Sequence, residues 1–200
     1  MVPRTFDPDR IAHFEIAGWR AYYDRHWFRL LRVGLALCQE QFGIPFPRSL
    51  SAAYYFVRAS IAWVPVDHDL GRVSAQLTRF YALATRYAPL TFDPATAARA
   101  EVVYWDVNRR LSGDRDDPAL LATLVTLHSA IFGLTAAEAT ASATWRHRAL
   151  IALDRITGGR DADTDANWDA IEAELRRCYS TVGRQQTAKQ DGVRGGATTA

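Results

Sequence analysis

The sequence predicts a single all-α domain, built as a bundle of about seven helices. Three Asp-Pro pairs, Asp7-Pro8, Asp93-Pro94 and Asp117-Pro118, each precede a stretch with helical periodicity. Aspartate accepts hydrogen bonds from first-turn amides, and proline already has the φ angle of that turn. No stretch alternates apolar and polar residues between turn pairs, so no sheet is expected. The 200 residues are 48% hydrophobic, which is enough for one core.

Clusters of glycine, proline and aspartate divide the chain between the helices, as in "FGIPFP", "VPVDHD", "APLTF" and "SGDRDD". The first helix is long, because "IAHFEIAGWRAYYDRHWFRLL" (11–31) has the pattern of one uninterrupted amphipathic helix. The predicted helices cover residues 8–42, 47–64, 68–87, 94–112, 118–132, 135–157 and 165–183.

The longest uncharged run, 118–137, has the length of a membrane span of about 20 residues. However, Gly133 can end one helix, and Thr135 with Glu138 forms a capping box for the next. Two shorter helices of a non-membrane protein are therefore predicted. The charged N-terminus has no apolar signal-peptide segment, so a cytoplasmic location is expected.

The seventh helix has a clear apolar stripe, formed by Trp168, Ile171, Leu175, Cys178, Tyr179 and Val182. After Gly183 the residues are small and polar, which predicts a helical domain over 1–183 and a disordered tail over 184–200. Cys38 and Cys178 lack metal-ligand spacing and are expected to be core residues in a reducing compartment.

Several ionisable or polar groups fall on apolar helix faces. Glu15 and His26 share the apolar arc of Trp19 in the first helix. The fourth helix places Glu101 and Asn108 two turns apart, near Trp105, while Arg58 lies in the middle of a helix that is apolar nearly all round. His128 lies among leucines and isoleucine in the fifth helix. Tyr22 is one of the tyrosines that can hydrogen-bond to these groups.

Isolated buried charges cost several kcal/mol, so these groups are expected to form a network. We predict that Arg58 pairs with Glu15, holding the first two helices in register, and bridges to Glu101. In this interpretation the histidines are neutral and hydrogen-bonded. The alternative is a site for metal-dependent or proton-transfer chemistry that uses Glu15, Glu101 and His128.

A metal site has an incomplete ligand set. No glutamate is followed three residues later by histidine, the spacing that dinuclear helical-bundle centres use. Glu15 and His26 are separated by about 16 Å along a continuous helix and cannot bind one ion. The sequence also contains no G-x-S-x-G, P-loop or G-x-G-x-x-G motif.

Two charged segments are expected to be hydrated. "VDHDLG" (66–71) begins a helix, where aspartate caps amides, and a metal site there is the minor alternative. "TWRHRAL" (144–150), with Arg146, His147 and Arg148, is expected to form a wet helix face, with phosphate binding as the minor alternative.

The leading functional hypothesis is a non-catalytic protein that binds a partner or a small apolar ligand through an aromatic-rich interior. A third hypothesis is a structural homo-oligomer, formed through the stripe of the seventh helix or through Trp27 and Leu31. Nucleic-acid binding is not expected, because the net charge is only +2. No cofactor is indicated by any motif.

Overall fold

The structure, a computed structural model, describes residues 6–88 and 92–196, with only the backbone described for 190–196. This part of the chain contains helices and no strands, which confirms the predicted all-α class. There are eight helices rather than about seven: α1 (Pro8–Tyr23), α2 (Trp27–Phe42), α3 (Arg48–Trp63), α4 (Leu70–Tyr87), α5 (Pro94–Arg110), α6 (Pro118–Phe132), α7 (Ala136–Thr157) and α8 (Asp165–Gly196).

The predicted helix starts are confirmed by side-chain caps. Asp7, Asp93 and Asp117 each accept a hydrogen bond from an amide in the first turn. Thr135 and Glu138 form the reciprocal capping box of α7, and Gly133 ends α6 at φ 64°. The "APLTF" break includes residues 89–91, which lie outside the described part of the chain.

None of the described helices is by itself long and apolar enough to cross a membrane. Only α6 and α7 taken together have the length and apolar composition of a membrane span, and the two helices are bent by 117° where they meet.

The prediction of one long first helix is wrong, because the chain reverses at residues 24–26. Arg25 adopts a left-handed conformation at φ 57°, and the amide of His26 donates to the carbonyl of Ala21 at 2.8 Å. Glycine usually takes this conformation, so a turn built on arginine leaves no signal in the sequence. The reversal makes α1 and α2 antiparallel, and the amide of Asp7 donates to Glu40 Oε1 at 3.1 Å.

The eight helices form a closed ring. Each helix packs against the next along the chain, from α1 with α2 through α7 with α8, and α8 packs back against α1. Consecutive contacts are expected for short connections, whereas the α1–α8 contact brings the two ends of the chain together. Because the ring is closed, side chains from every helix can face a common interior.

Helix α8 extends beyond residue 183, where the sequence predicted a disordered tail. Gln185 Nε2 donates to the carbonyl of Glu138 at 2.6 Å, and Lys189 Nζ donates to the carbonyl of Gly133 at 2.7 Å. These polar contacts with the α6–α7 turn explain why low hydrophobicity did not reveal the extension. Residues 197–200 lie outside the described part of the chain.

Candidate functional site

A cavity of about 370 Å³ lies inside the ring of helices, and all eight helices contribute to its lining. This volume falls in the range of about 300–1,000 Å³ that is usual for small-molecule pockets. The cavity therefore has the size of a binding site, and the side chains around it determine its chemistry.

One side of the cavity is an aromatic wall, which consists of Phe42, Phe56, Trp63, Phe80 and Trp105. The ring of Phe80 lies 5.8 Å from that of Phe42 and 5.4 Å from that of Phe56. Trp105 continues the series, 5.9 Å from Phe56 and 5.7 Å from Trp63. These contacts are mostly edge-to-face, the arrangement that aromatic pairs favour, so each ring is held by its neighbours. The wall is a preformed apolar surface.

Glu15 is buried at the cavity and pairs with Arg146 of α7. Arg146 Nη2 lies 2.5 Å from Glu15 Oε1, and the Tyr179 hydroxyl donates to Glu15 Oε2. The predicted Glu15–Arg58 pair is therefore wrong. Arg58 is exposed and its guanidinium lies 5.9 Å from the ring centre of Tyr54.

The position of Arg58 was mispredicted because α3 exposes apolar side chains to solvent. Tyr54 and Ile61 of α3 are 49% and 41% exposed. A helix that appears apolar on all sides therefore still has a solvent-facing side, and Arg58 lies on it.

Arg146 is largely buried and stays charged. Its guanidinium lies 5.6 Å from the ring centre of Tyr104. Burial is the largest single effect and lowers its pKa, but Glu15 together with the other acidic groups around it, Tyr179, Tyr104 and Glu101, outweighs burial and holds the pKa well above its usual value. The pair is thus an internal salt bridge that connects α1, α7 and, through Tyr179, α8.

Glu101 is the second buried carboxyl group at the cavity. It accepts hydrogen bonds from the Tyr81 hydroxyl at 2.8 Å and from Trp105 Nε1 at 2.7 Å. Burial raises the pKa of Glu101, although the charge of Arg146 and these two donors oppose the shift. The predicted bridging role of Arg58 therefore belongs to Arg146, whose charge acts on both carboxyl groups.

Arg109, in the last turn of α5, gives the cavity a positive end. Its guanidinium stacks 4.4 Å from the ring centre of Trp63 and donates to the carbonyls of Trp63 and, at 3.2 Å, Pro65. Its Nη1 also lies 3.2 Å from Nδ1 of His68. Among the described residues these partners of Arg109 are two backbone carbonyls, an imidazole nitrogen and an indole ring, and none is a carboxylate.

A second buried arginine borders the same cavity. Arg115 is 4% exposed, and its Nη1 donates to Asp154 Oδ1 at 2.7 Å. Its Nη2 lies 3.5 Å from the Tyr23 hydroxyl, while its Nε has no hydrogen-bond partner in the described structure. Arg115 therefore has a compensated charge and one unused donor.

Six of the nine residues singled out from the sequence line the cavity: Glu15, Trp19, Tyr22, Glu101, Trp105 and Asn108. Arg58 does not, and neither do the two histidines. His26 precedes α2 and its side chain is 65% exposed. His128 is fully buried next to Ser142, with Nδ1 2.9 Å from the serine hydroxyl, and burial lowers its pKa well below the usual value.

Five further residues at the cavity were not among these nine: Tyr81, Arg109, Arg115, Arg146 and Tyr179. The expected wet face of "TWRHRAL" is wrong for Arg146 and also for His147, which is buried with Nε2 2.6 Å from the carbonyl of Arg115. The sequence did contain a signal for Arg146. The residues at 139, 143, 146, 150 and 153 follow the 4-3-4-3 spacing of a buried helix face, and Arg146 is its central member.

No metal-binding cluster of three or more His, Cys, Asp or Glu residues occurs in the part of the chain that the structure describes. No protein-family profile matches the chain, and no match was found among curated proteins or solved structures.

Proposed function

We propose that this protein binds a small, largely apolar ligand in the cavity that its ring of helices lines. The observation that carries the proposal is the cavity itself, about 370 Å³ in volume and bordered by the aromatic wall. Ligand sites are typically concave and mostly apolar, with a few polar groups that fix orientation. Glu101, Arg109 and the Glu15–Arg146 pair supply such groups here.

Two glycines support binding over simple core packing. Gly18 of α1 and Gly34 of α2 both line the cavity. A Cβ atom added at Gly18 would lie 3.7 Å from Leu30, and one added at Gly34 would lie 3.6 Å from Ala53, both ordinary contact distances. Alanine would therefore fit and favour the helix more than glycine does. Glycine at both positions leaves cavity space that the methyl groups of two alanines would occupy.

The alternative, an enzyme that uses Glu15, Glu101 and His128, has less support. His128 does not border the cavity, and Glu15 is held in an ion pair. Glu101 alone retains a feature of proton-transfer sites, because burial raises its pKa beside a cavity. However, both of its oxygens already accept hydrogen bonds from Tyr81 and Trp105. A role in orienting a ligand is better supported than a role in catalysis.

The proposal is tested by fluorescence titration with N-phenyl-1-naphthylamine, an uncharged aromatic probe that becomes bright in apolar surroundings. We expect saturable binding of one probe per chain. Ser60 of α3 lines the cavity, so Ser60→Leu should fill part of it and weaken probe binding about tenfold. Ser51→Leu, the same change at an exposed position of the same helix, is the matched control. Absence of saturable binding to the wild type, or equal affinities for both variants, would refute the proposal.

A further inference from the structure

We infer that the ligand is an amphiphile with an apolar body and one oxyanionic group, and that Arg109 binds this group at one end of the cavity. The inference rests on the proposed function and specifies the chemical class of the ligand. It comes from the pattern of charges around the cavity, in which one cation has no anionic partner.

Five charged side chains border the cavity: Glu15, Glu101, Arg109, Arg115 and Arg146. Arg146 is paired with Glu15 at 2.5 Å, and Arg115 is paired with Asp154 at 2.7 Å. Glu101 forms no direct ion pair but lies near the charge of Arg146. Arg109 is thus left without a carboxylate partner in the described structure.

Glu101 and Arg109 do not neutralise each other. They lie eight residues apart on α5, a separation of about 12 Å along the helix axis. Glu101 instead accepts hydrogen bonds from two neutral donors, Tyr81 and Trp105, and lies near the charge of Arg146. Arg109 is therefore the cation at the cavity that no carboxylate contacts in the described structure.

The lining of the cavity also contains a hydrogen-bond donor that the described residues leave unused. Arg115 Nε is a buried donor without an acceptor, on a side chain that is 4% exposed. The buried Oδ1 of Asn108, next to Arg109 in sequence, also has no partner, but as an acceptor it cannot bind an oxyanion. Tyr22 also lies close to Arg109, whose charge opposes the increase in its pKa caused by burial. An oxyanion accepts hydrogen bonds most strongly from guanidinium groups, so it suits this end of the cavity.

The aromatic wall determines where the rest of the ligand lies. Trp63 packs against the Arg109 guanidinium on one side, and its ring lies 5.7 Å from that of Trp105. A ligand whose anionic group contacts Arg109 therefore has its apolar body beside the aromatic wall. This placement favours a flat or chain-like apolar body over a sugar or a peptide.

The test compares two probes that differ by one anionic group: N-phenyl-1-naphthylamine and its sulfonated form, 8-anilino-1-naphthalenesulfonate. We expect the wild-type protein to bind the sulfonate about tenfold more tightly. Arg109→Met should abolish this preference, because it removes a cation that only the sulfonate can pair with, and Arg109→Lys should retain part of the preference. The control is Arg110→Met, because Arg110 is exposed, pairs with Asp106 and does not line the cavity.

Each outcome decides a different question. If the wild type binds both probes equally, or if Arg109→Met keeps the preference, the inference is wrong while the proposed function stands. If the wild type binds neither probe, both are wrong. Loss of affinity for both probes in Arg109→Met would be checked by circular dichroism. If helicity is intact, that loss overturns the charge argument. If helicity is lost, Arg109→Lys is compared with Arg110→Met: a weaker sulfonate preference in Arg109→Lys alone supports the inference, and equal preferences overturn it.

Discussion

At the level of single residues, the Glu15–Arg146 ion pair is the interaction whose removal should destabilise the fold most. Both side chains are largely buried, and the Tyr179 hydroxyl donates to the same carboxylate. Glu15→Gln or Arg146→Met leaves the other charge buried without its partner, and we expect each to cost about 3–5 kcal/mol. The double variant should cost much less than the sum, as measured by urea unfolding in a double-mutant cycle.

Arg58 provides the matched comparison for this cycle. Its guanidinium is exposed over Tyr54, so Arg58→Met should change the free energy of unfolding by less than about 0.5 kcal/mol. Combined with Glu15→Gln, it should be additive. Coupling between Glu15 and Arg58, or additivity between Glu15 and Arg146, would contradict the observed pairing.

His128 should make stability depend on pH. The pKa of histidine in an unfolded chain is about 6.5, and burial lowers the pKa of folded His128 well below this value. Below pH 6.5 the unfolded chain therefore gains a proton at this residue that the folded protein does not, so stability falls with decreasing pH. We expect His128 to account for a loss of about 1 kcal/mol between pH 6.5 and 5.5, measured by urea unfolding.

Comparison of variants isolates this contribution. His128→Gln should lack the loss, whereas His26→Gln, at an exposed histidine, should retain it. Glu101 acts in the opposite direction, because its raised pKa means that protonation on acidification stabilises the fold. The effect of Glu101 is the same in the wild type, His128→Gln and His26→Gln, so it cancels when their pH dependences are compared. Equal pH dependence for wild type and His128→Gln would contradict a neutral, buried His128.

At the level of helices, the starts could be predicted from the sequence and one turn could not. Asp7, Asp93 and Asp117 act within a few residues of their own position, so their effect is visible locally. The turn at Arg25 depends instead on the packing of α1 against α2, which no local pattern records. This one difference also explains His26, which was expected inside and lies exposed at the start of α2.

The last turns of α8 should contribute to stability. Gln185 and Lys189 hydrogen-bond to the α6–α7 turn, and the Lys189 ammonium lowers the pKa of Glu138 to about 2. A chain that ends after Gly183 should therefore melt about 2–5 °C lower than the full chain, by circular dichroism. A chain that ends after Gln190 retains both residues and is the control. Equal melting temperatures would show that these contacts do not stabilise the fold.

At the level of the whole molecule, closure of the ring decides which polar groups meet. Glu15 and Glu101 could be recognised as buried because each lies on the apolar face of its own helix. Their partners could not be recognised, since Arg146 lies 131 residues from Glu15 along the chain and meets it only where α8, which packs against α7, closes against α1. Helical periodicity shows which side of a helix is buried, but it does not show what that side contacts.

Closure of the ring of helices also leaves the cavity at its centre. Substitutions that fill the cavity should stabilise the fold and weaken ligand binding. Gly18→Ala and Gly34→Ala add methyl groups to cavity-lining positions with no contact closer than 3.6 Å, and each should stabilise the fold by about 0.5–1 kcal/mol. Binding of N-phenyl-1-naphthylamine by the double variant should weaken several-fold. Gly183→Ala, in α8 with open space around it, should give similar stabilisation without affecting the probe. If the two cavity substitutions stabilise the protein and leave probe affinity unchanged, these glycines do not maintain a binding site.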